Sequence, residues 1–193
     1  MLLRFCCRLL LFCPWLTTAG PARPLPLAPK PKLTTVKLGS GLSVGVPTGF
    51  AALPDDGIAL KYPSPRKPVA VYTNASGRVD FSVAVRPTPF LSADYAVLLK
   101  IYKASIQRLY TKVEFLSEDI RTVKGRDFIF FEFVSSVSDN RRGSNLAAIK
   151  RYQAIQYAIK EQQLFVFAFV VPFEEQAQWR PTAQAVMNAV ELK

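Results

Sequence analysis

The chain has 193 residues, half of them apolar, with 25 Lys and Arg against 14 Asp and Glu and no histidine at all. That length suits one domain with a two-layer core, and the balance of apolar and charged residues excludes both a disordered tail and a membrane channel. The formal charge of +11 favours anionic partners such as lipid headgroups, cell-envelope polymers or an acidic protein face, besides serving solubility.

Residues 1–20 read as a signal peptide. Arg4 and Arg8 form a positive start, Leu9 to Leu16 a short apolar run, and Thr17-Thr18-Ala19-Gly20 a small-residue cleavage region, with cleavage expected within Ala19–Ala22. The apolar run is well short of the ~20 residues that span a bilayer, which disfavours a retained anchor. Processing removes Arg4 and Arg8 and no acid, taking the charge from +11 to about +9. Cys6, Cys7 and Cys13 all lie in this segment, so the processed chain carries no thiol, disulfide or cysteine metal ligand. A lipid anchor at Cys13 is disfavoured because the preceding Phe12 is large. The expected location is periplasmic or secreted. Residues 21–34 then form a proline-rich linker, beginning PARPLPLAPKPK, whose prolines favour extended backbone over sheet or helix.

A single domain is expected over 35–193. Leu42 to Pro47 alternates apolar with small residues and stops at Pro47 and Gly49, a strand and a turn, after which Phe50 packs back on the sheet. Ala59-Leu60-Lys61-Tyr62 reads as a short strand ended by Pro63, Pro65 and Pro68. Val69–Thr73 and Val79–Arg86 form a hairpin about Asn74-Ala75-Ser76-Gly77, with Val79, Phe81, Val83 and Val85 on one face and Asp80, Ser82 and Arg86 on the other. Asn74-Ala75-Ser76 also matches a glycosylation acceptor, but its place in the turn already accounts for it.

Ser92 is the expected N-cap of a long helix with Asp94 in its first turn, and Tyr95, Leu98, Tyr102, Ile106, Leu109 and Val113 recur at helical steps. Phe115–Val123, Phe128–Val134, Ile155–Ile159 and Leu164–Val171 follow as strands, the second and fourth apolar on both faces and so expected mid-sheet. A C-terminal helix presents Ala183, Val186, Met187 and Val190, with Pro181 in its first turn. Hairpin-connected strands with helices packed outside make an α+β sandwich.

Few chemistries survive this composition. Without histidine, and with every cysteine in the signal segment, histidine-based triads, His or Cys zinc sites and haem ligation are excluded, and no cofactor is expected. Gly39-Ser40-Gly41 lacks the lysine and helix of a phosphate loop. Carboxylate pairs remain at Asp55-Asp56, Glu118-Asp119 and, with Asn140, Asp139. Asp55-Asp56-Gly57 has turn composition, and neighbouring acids on a strand point to opposite faces unless a bulge intervenes. The candidate binding residues are basic. Lys61, Tyr62, Arg66 and Lys67 flank one proline-rich loop, and Arg141 and Arg142 lie in another that leads to Lys150 and Arg151. Such residues suit a phosphate or carboxylate, and serve equally as the solvated rim of two separate loops.

From Leu42 to Leu192 the chain resembles the PsbP/DcrB-like superfamily, which also contains the Ran-binding Mog proteins. The resemblance rests on Val44-Gly45-Val46-Pro47-Thr48-Gly49-Phe50, the hairpins, the long helix, the long apolar strand with Pro172 and Trp179 after it, and Val186-Met187-Asn188-Ala189-Val190. It implies an α/β/α sandwich with a central antiparallel sheet of about six or seven strands, one long mid-chain helix and a C-terminal helix. It implies no single function, because members are chiefly binding and accessory proteins with unrelated partners. The reading is therefore an exported, non-catalytic binding or accessory protein of the cell envelope. Its partner is a protein or an anionic envelope component, not nucleic acid, with peripheral membrane contact allowed. The alternatives are a chaperone-like holder of an apolar segment of a secreted or membrane protein and, less favoured, a carboxylate-dependent hydrolase.

Overall fold

Four consecutive strands of ten to twelve residues carry the architecture: β6 (Lys112–Val123), β7 (Arg126–Val137), β8 (Ile149–Lys160) and β9 (Gln163–Pro172). The computed structural model describes residues 31–39, 41–139 and 146–193. The signal segment, residues 21–30 of the linker and both Arg141 and Arg142 lie outside the described residues.

The hairpin β4 (Ala70–Thr73) and β5 (Asp80–Pro87) joins the four long strands, β5 pairing with β9, and the two-residue β3 (Ala51–Ala52) closes that edge. The result is a seven-stranded antiparallel sheet in the order β3-β4-β5-β9-β8-β7-β6. Strand β9 takes the central place expected of a strand apolar on both faces. Strand β7 is the more buried of the two but lies next to the edge strand β6. Its inner position is supplied by helices on both sides, because burial on two faces follows from what covers a strand rather than from its rank in the sheet.

One face of the sheet carries Phe81, Phe128, Phe130, Phe167 and Phe169, covered by α3 (Gln176–Ala189) and by a small sheet of β1 (Leu33–Lys37), β2 (Leu42–Pro47) and β10 (Glu191–Leu192). Phe50 packs back here as expected, its ring 5.5 Å from Trp179 and 6.0 Å from Phe169. Gly45 permits the close approach of α3 to β2, since a β-carbon there would stand 2.6 Å from that of Ala189. The other face carries Ile129, Phe131, Phe133 and Ile159 beneath α2 (Tyr95–Leu109), from which Tyr95, Leu98 and Ile106 are buried.

Several local expectations are corrected. Ala59–Lys61 is not a strand but the end of α1 (Asp55–Lys61), with two acids in its first turn, a lysine in its last and Ile58 buried. Four residues are too few for alternation to outweigh charges so well placed on the helix dipole. The same helix absorbs Asp55-Asp56-Gly57, which is therefore no turn. Ser92 opens a 3₁₀ turn (Ser92–Asp94) in place of capping α2, and the Asp94 carboxylate accepts the Leu91 N–H at 2.8 Å. The long helix ends at Leu109, Tyr110 is extended, and Val113 belongs to β6. Its helical spacing coincides with an inward position of the strand. Pro181 sits inside α3, not in its first turn, because a 3₁₀ turn (Phe173–Glu175) and then Gln176 start the helix earlier.

Candidate binding site

Strand β5 sets out the geometry. Phe81 and Val83 point into the α3-side core, so Asp80 and Arg86 emerge on the α2 side at opposite ends of the strand, about 20 Å apart at a strand's rise per residue. Each end opens into its own hollow.

At the Asp80 end two adjoining hollows, of about 450 and 340 Å³, share Asp80, Ile149 and Arg151. Helix α1 delivers Lys61 and Tyr62 to them. The Lys61 ammonium donates to Asp80 Oδ1 at 2.6 Å and to the Gly77 carbonyl at 2.9 Å, and the Tyr62 hydroxyl donates to Asp80 Oδ2 at 3.2 Å. Burial, then the neighbouring Asp80 charge and hydrogen bond, push the Tyr62 phenol well above its usual range, while Arg151 pulls the other way. Arg78 is paired with both Glu174 and Glu175. Deeper in, the Gln153 amide donates to Ser135 Oγ at 2.8 Å and to the Tyr110 hydroxyl at 2.9 Å. The mouth is different. Ile149 is 61% exposed beside the exposed Val137, Lys150 is 5.6 Å from the Phe173 ring, and neither Lys150 nor Arg151 has a carboxylate partner among the described residues.

At the Arg86 end lies a hollow of about 550 Å³. Arg66 and Lys67 reach it from the loop after α1, Arg86 from the end of β5, and Phe90, Tyr102 and Leu164 from the segment before α2, from α2 and from β9. No carboxylate among the described residues lines it. Arg86 Nη2 donates to the Arg66 carbonyl at 3.4 Å, which ties the strand end to the loop.

The fold thus divides the basic residues that the sequence groups together. Lys61 and Tyr62 join Arg151, whereas Arg66 and Lys67 join Arg86 at the far end. Gln153, Tyr110 and Phe90 had no signal of their own. Asp80 and Arg86 had one, their position on the polar side of an alternating strand. The carboxylate pairs stay apart: Asp55 and Asp56 are exposed on α1, and a bulge in β6 falls at Leu116, before the Glu118-Asp119 pair. Glu118 therefore still faces α2, where it meets Lys103 at 2.6 Å, with Asp119 on the opposite face.

The sequence reading also missed a buried polar cluster on the α3 face. Glu132, 2% exposed within the otherwise apolar run Phe128–Val134, accepts from Arg180 Nε, from the Tyr152 hydroxyl at 3.0 Å and from Gln184 at 3.4 Å. Beside it the Arg121 guanidinium lies 3.5 Å over the Phe130 ring and donates to the buried Gln156, whose amide donates to the Met187 carbonyl at 3.4 Å. Each polar group is satisfied, and the arrangement ties α3 to the sheet. The lone acid in Phe128–Val134 was its only trace in the sequence.

No family model matches the chain, and no curated protein matches it. Solved structures do. The cyanobacterial PsbP (CyanoP) of Synechocystis sp. PCC 6803 is similar with a TM-score of 0.61 at 14% identity, over 90% of this chain and 100% of that one. The Saccharomyces cerevisiae Ran-binding protein Mog1p is similar with a TM-score of 0.56 at 17% identity, over 84% and 96% of the two chains. The chain shares its fold with these two proteins.

Proposed function

We propose that this chain is an exported, non-catalytic binding protein, and that a protein partner docks at the Asp80 end of the sheet. Residues 1–20 direct export to a periplasmic or secreted location, the proline-rich stretch after them is the spacer, and the binding domain begins with β1 at Leu33. One observation carries the reading: the mouth formed by Val137, Ile149, Lys150 and Arg151 combines exposed apolar side chains with two cations that form no ion pair among the described residues. Such a surface fits a segment with an apolar side chain next to an acid, since apolar contact supplies the affinity and opposite charge sets the register. The similar Mog1p is described as Ran-binding, which supports the use of this fold to hold a protein. The absence of histidine from the whole sequence supports a role without catalysis.

The test is a pull-down from envelope extract with the full chain and with an Ile149→Asp, Arg151→Glu variant. A partner retained by the first and lost by the second is expected; equal recovery overturns the docking site. Mass spectrometry of the native N-terminus decides the compartment, with a start within Ala19–Ala22 expected. An intact Met1 in a cytosolic fraction would instead favour the chaperone-like reading, for which the exposed Val137 and Ile149 are the supporting surface.

A further inference from the structure

We infer that the hollow at the Arg86 end is a second binding site, independent of the docking site above, and that it takes a phosphate monoester with an apolar body. Arg66, Lys67 and Arg86 converge on one space of about 550 Å³ with no carboxylate among the described residues that line it. By contrast, Lys61 has Asp80, Arg78 has two glutamates and Lys103 has Glu118. Three like charges held together repel one another, and an oxyanion between them relieves that repulsion while receiving several charge-assisted hydrogen bonds. Two guanidinium groups match the planar, multi-oxygen geometry of phosphate better than ammonium groups do.

The rest of the hollow defines the body of the ligand. Phe90, Tyr102 and Leu164 line the same hollow, so a bare inorganic ion would leave their apolar surface wet. The volume lies within the few hundred to about a thousand Å³ typical of small-molecule sites. The rim is also stiff. Pro65, Pro87 and Pro89 all line it, and fixed backbone at a rim lowers the entropy lost on binding. Two sources offer this chemistry: a free phosphate ester, or the headgroup of a lipid whose chains rest on the neighbouring exposed Val69 and Leu91.

The experiment measures binding of phenyl phosphate and inorganic phosphate by calorimetry on the full chain, and its retention on vesicles of phosphatidylcholine with and without phosphatidic acid. Phenyl phosphate is expected to bind more tightly than phosphate, and a R66M/K67M/R86M variant to bind it at least about tenfold more weakly. Vesicle retention that depends on phosphatidic acid and on the same three residues identifies the lipid as the source; phenyl phosphate binding without it identifies a free ester. A K150M/R151M variant controls for general charge and is expected to change binding by less than about twofold. Equal losses in the two variants, equal affinity for phosphate and phenyl phosphate, or no binding of either probe by the full chain would each overturn the proposal.

Discussion

The two faces of the central sheet solve opposite problems. On the α3 face aromatic rings interlock, Gly45 lets helix and strand close up, and the buried Glu132 has its donors in place. On the α2 face the helix lies toward β6, with Lys103 reaching Glu118 there, and over β9 the side chains of Val166, Ala168 and Val170 are only half-buried. Closure on one side supplies stability, and incomplete cover on the other leaves room for a ligand. A polar group has a different meaning in each setting. Buried and fully partnered, it fixes the packing; exposed and unpartnered, it is available to something else.

Three measurements probe that contrast. The largest effect is expected for Glu132→Ala, which leaves the Tyr152 hydroxyl and the Arg180 guanidinium without their acceptor. Breaking a buried pair costs several kcal/mol, but Arg180 is 45% exposed and water partly replaces the acceptor, so about 2–3 kcal/mol is expected from urea unfolding. A loss below about 0.5 kcal/mol would mean that the α3 face does not depend on its polar cluster.

Asp80→Asn should be milder. Lys61 is exposed enough to find water, so the expected loss is about 1 kcal/mol. Its diagnostic is the Tyr62 phenol, which should titrate lower than in the wild type yet remain above its usual range, because burial is the first cause of its upward shift and the Asp80 charge only the second. The sign follows from linkage. A phenol that titrates higher when folded contributes stability below the ordinary tyrosine value of about 10 and loses it as pH rises toward the folded value. The variant should therefore lose less stability than the wild type between neutral and alkaline pH. Unchanged tyrosinate absorbance against pH would remove Asp80 as the anchor of that hollow.

The smallest effect belongs to the Arg86 end. The R66M/K67M/R86M variant should keep its unfolding midpoint, with a change within about 0.5 kcal/mol, since no carboxylate among the described residues lines that hollow. A loss approaching that of Glu132→Ala would show that these cations support the fold and would erase the contrast between the faces.

Much of the fold was legible because its strands are long and their alternation is clean. The hairpin around Asn74-Ala75-Ser76-Gly77, the inward face of Val79, Phe81 and Val83, and the apolar Leu164–Val171 at the sheet centre all follow from period-two patterning. Short elements were not legible. Residues Asp55–Lys61 offer seven positions, too few for a periodic signal, and their helical state rests on Pro54, the paired acids and the single buried Ile58. The site was half legible: Lys61, Tyr62, Arg66 and Lys67 are neighbours in sequence, but their division between two hollows depends on which end of β5 each one meets.

By itself, then, the sequence determined the α+β class, the order of elements, a surplus of positive charge and a chemistry without histidine, since these are properties of composition and local period. Only the tertiary structure decided which of those charges are neutralised. Asp80 lies nineteen positions from Lys61 along the chain, and only the placement of the end of α1 beside the start of β5 brings this pair together. Near Arg86 no such placement delivers an acid among the described residues. A charge is read from one residue, but its availability depends on whether the fold places a second, opposite charge beside it.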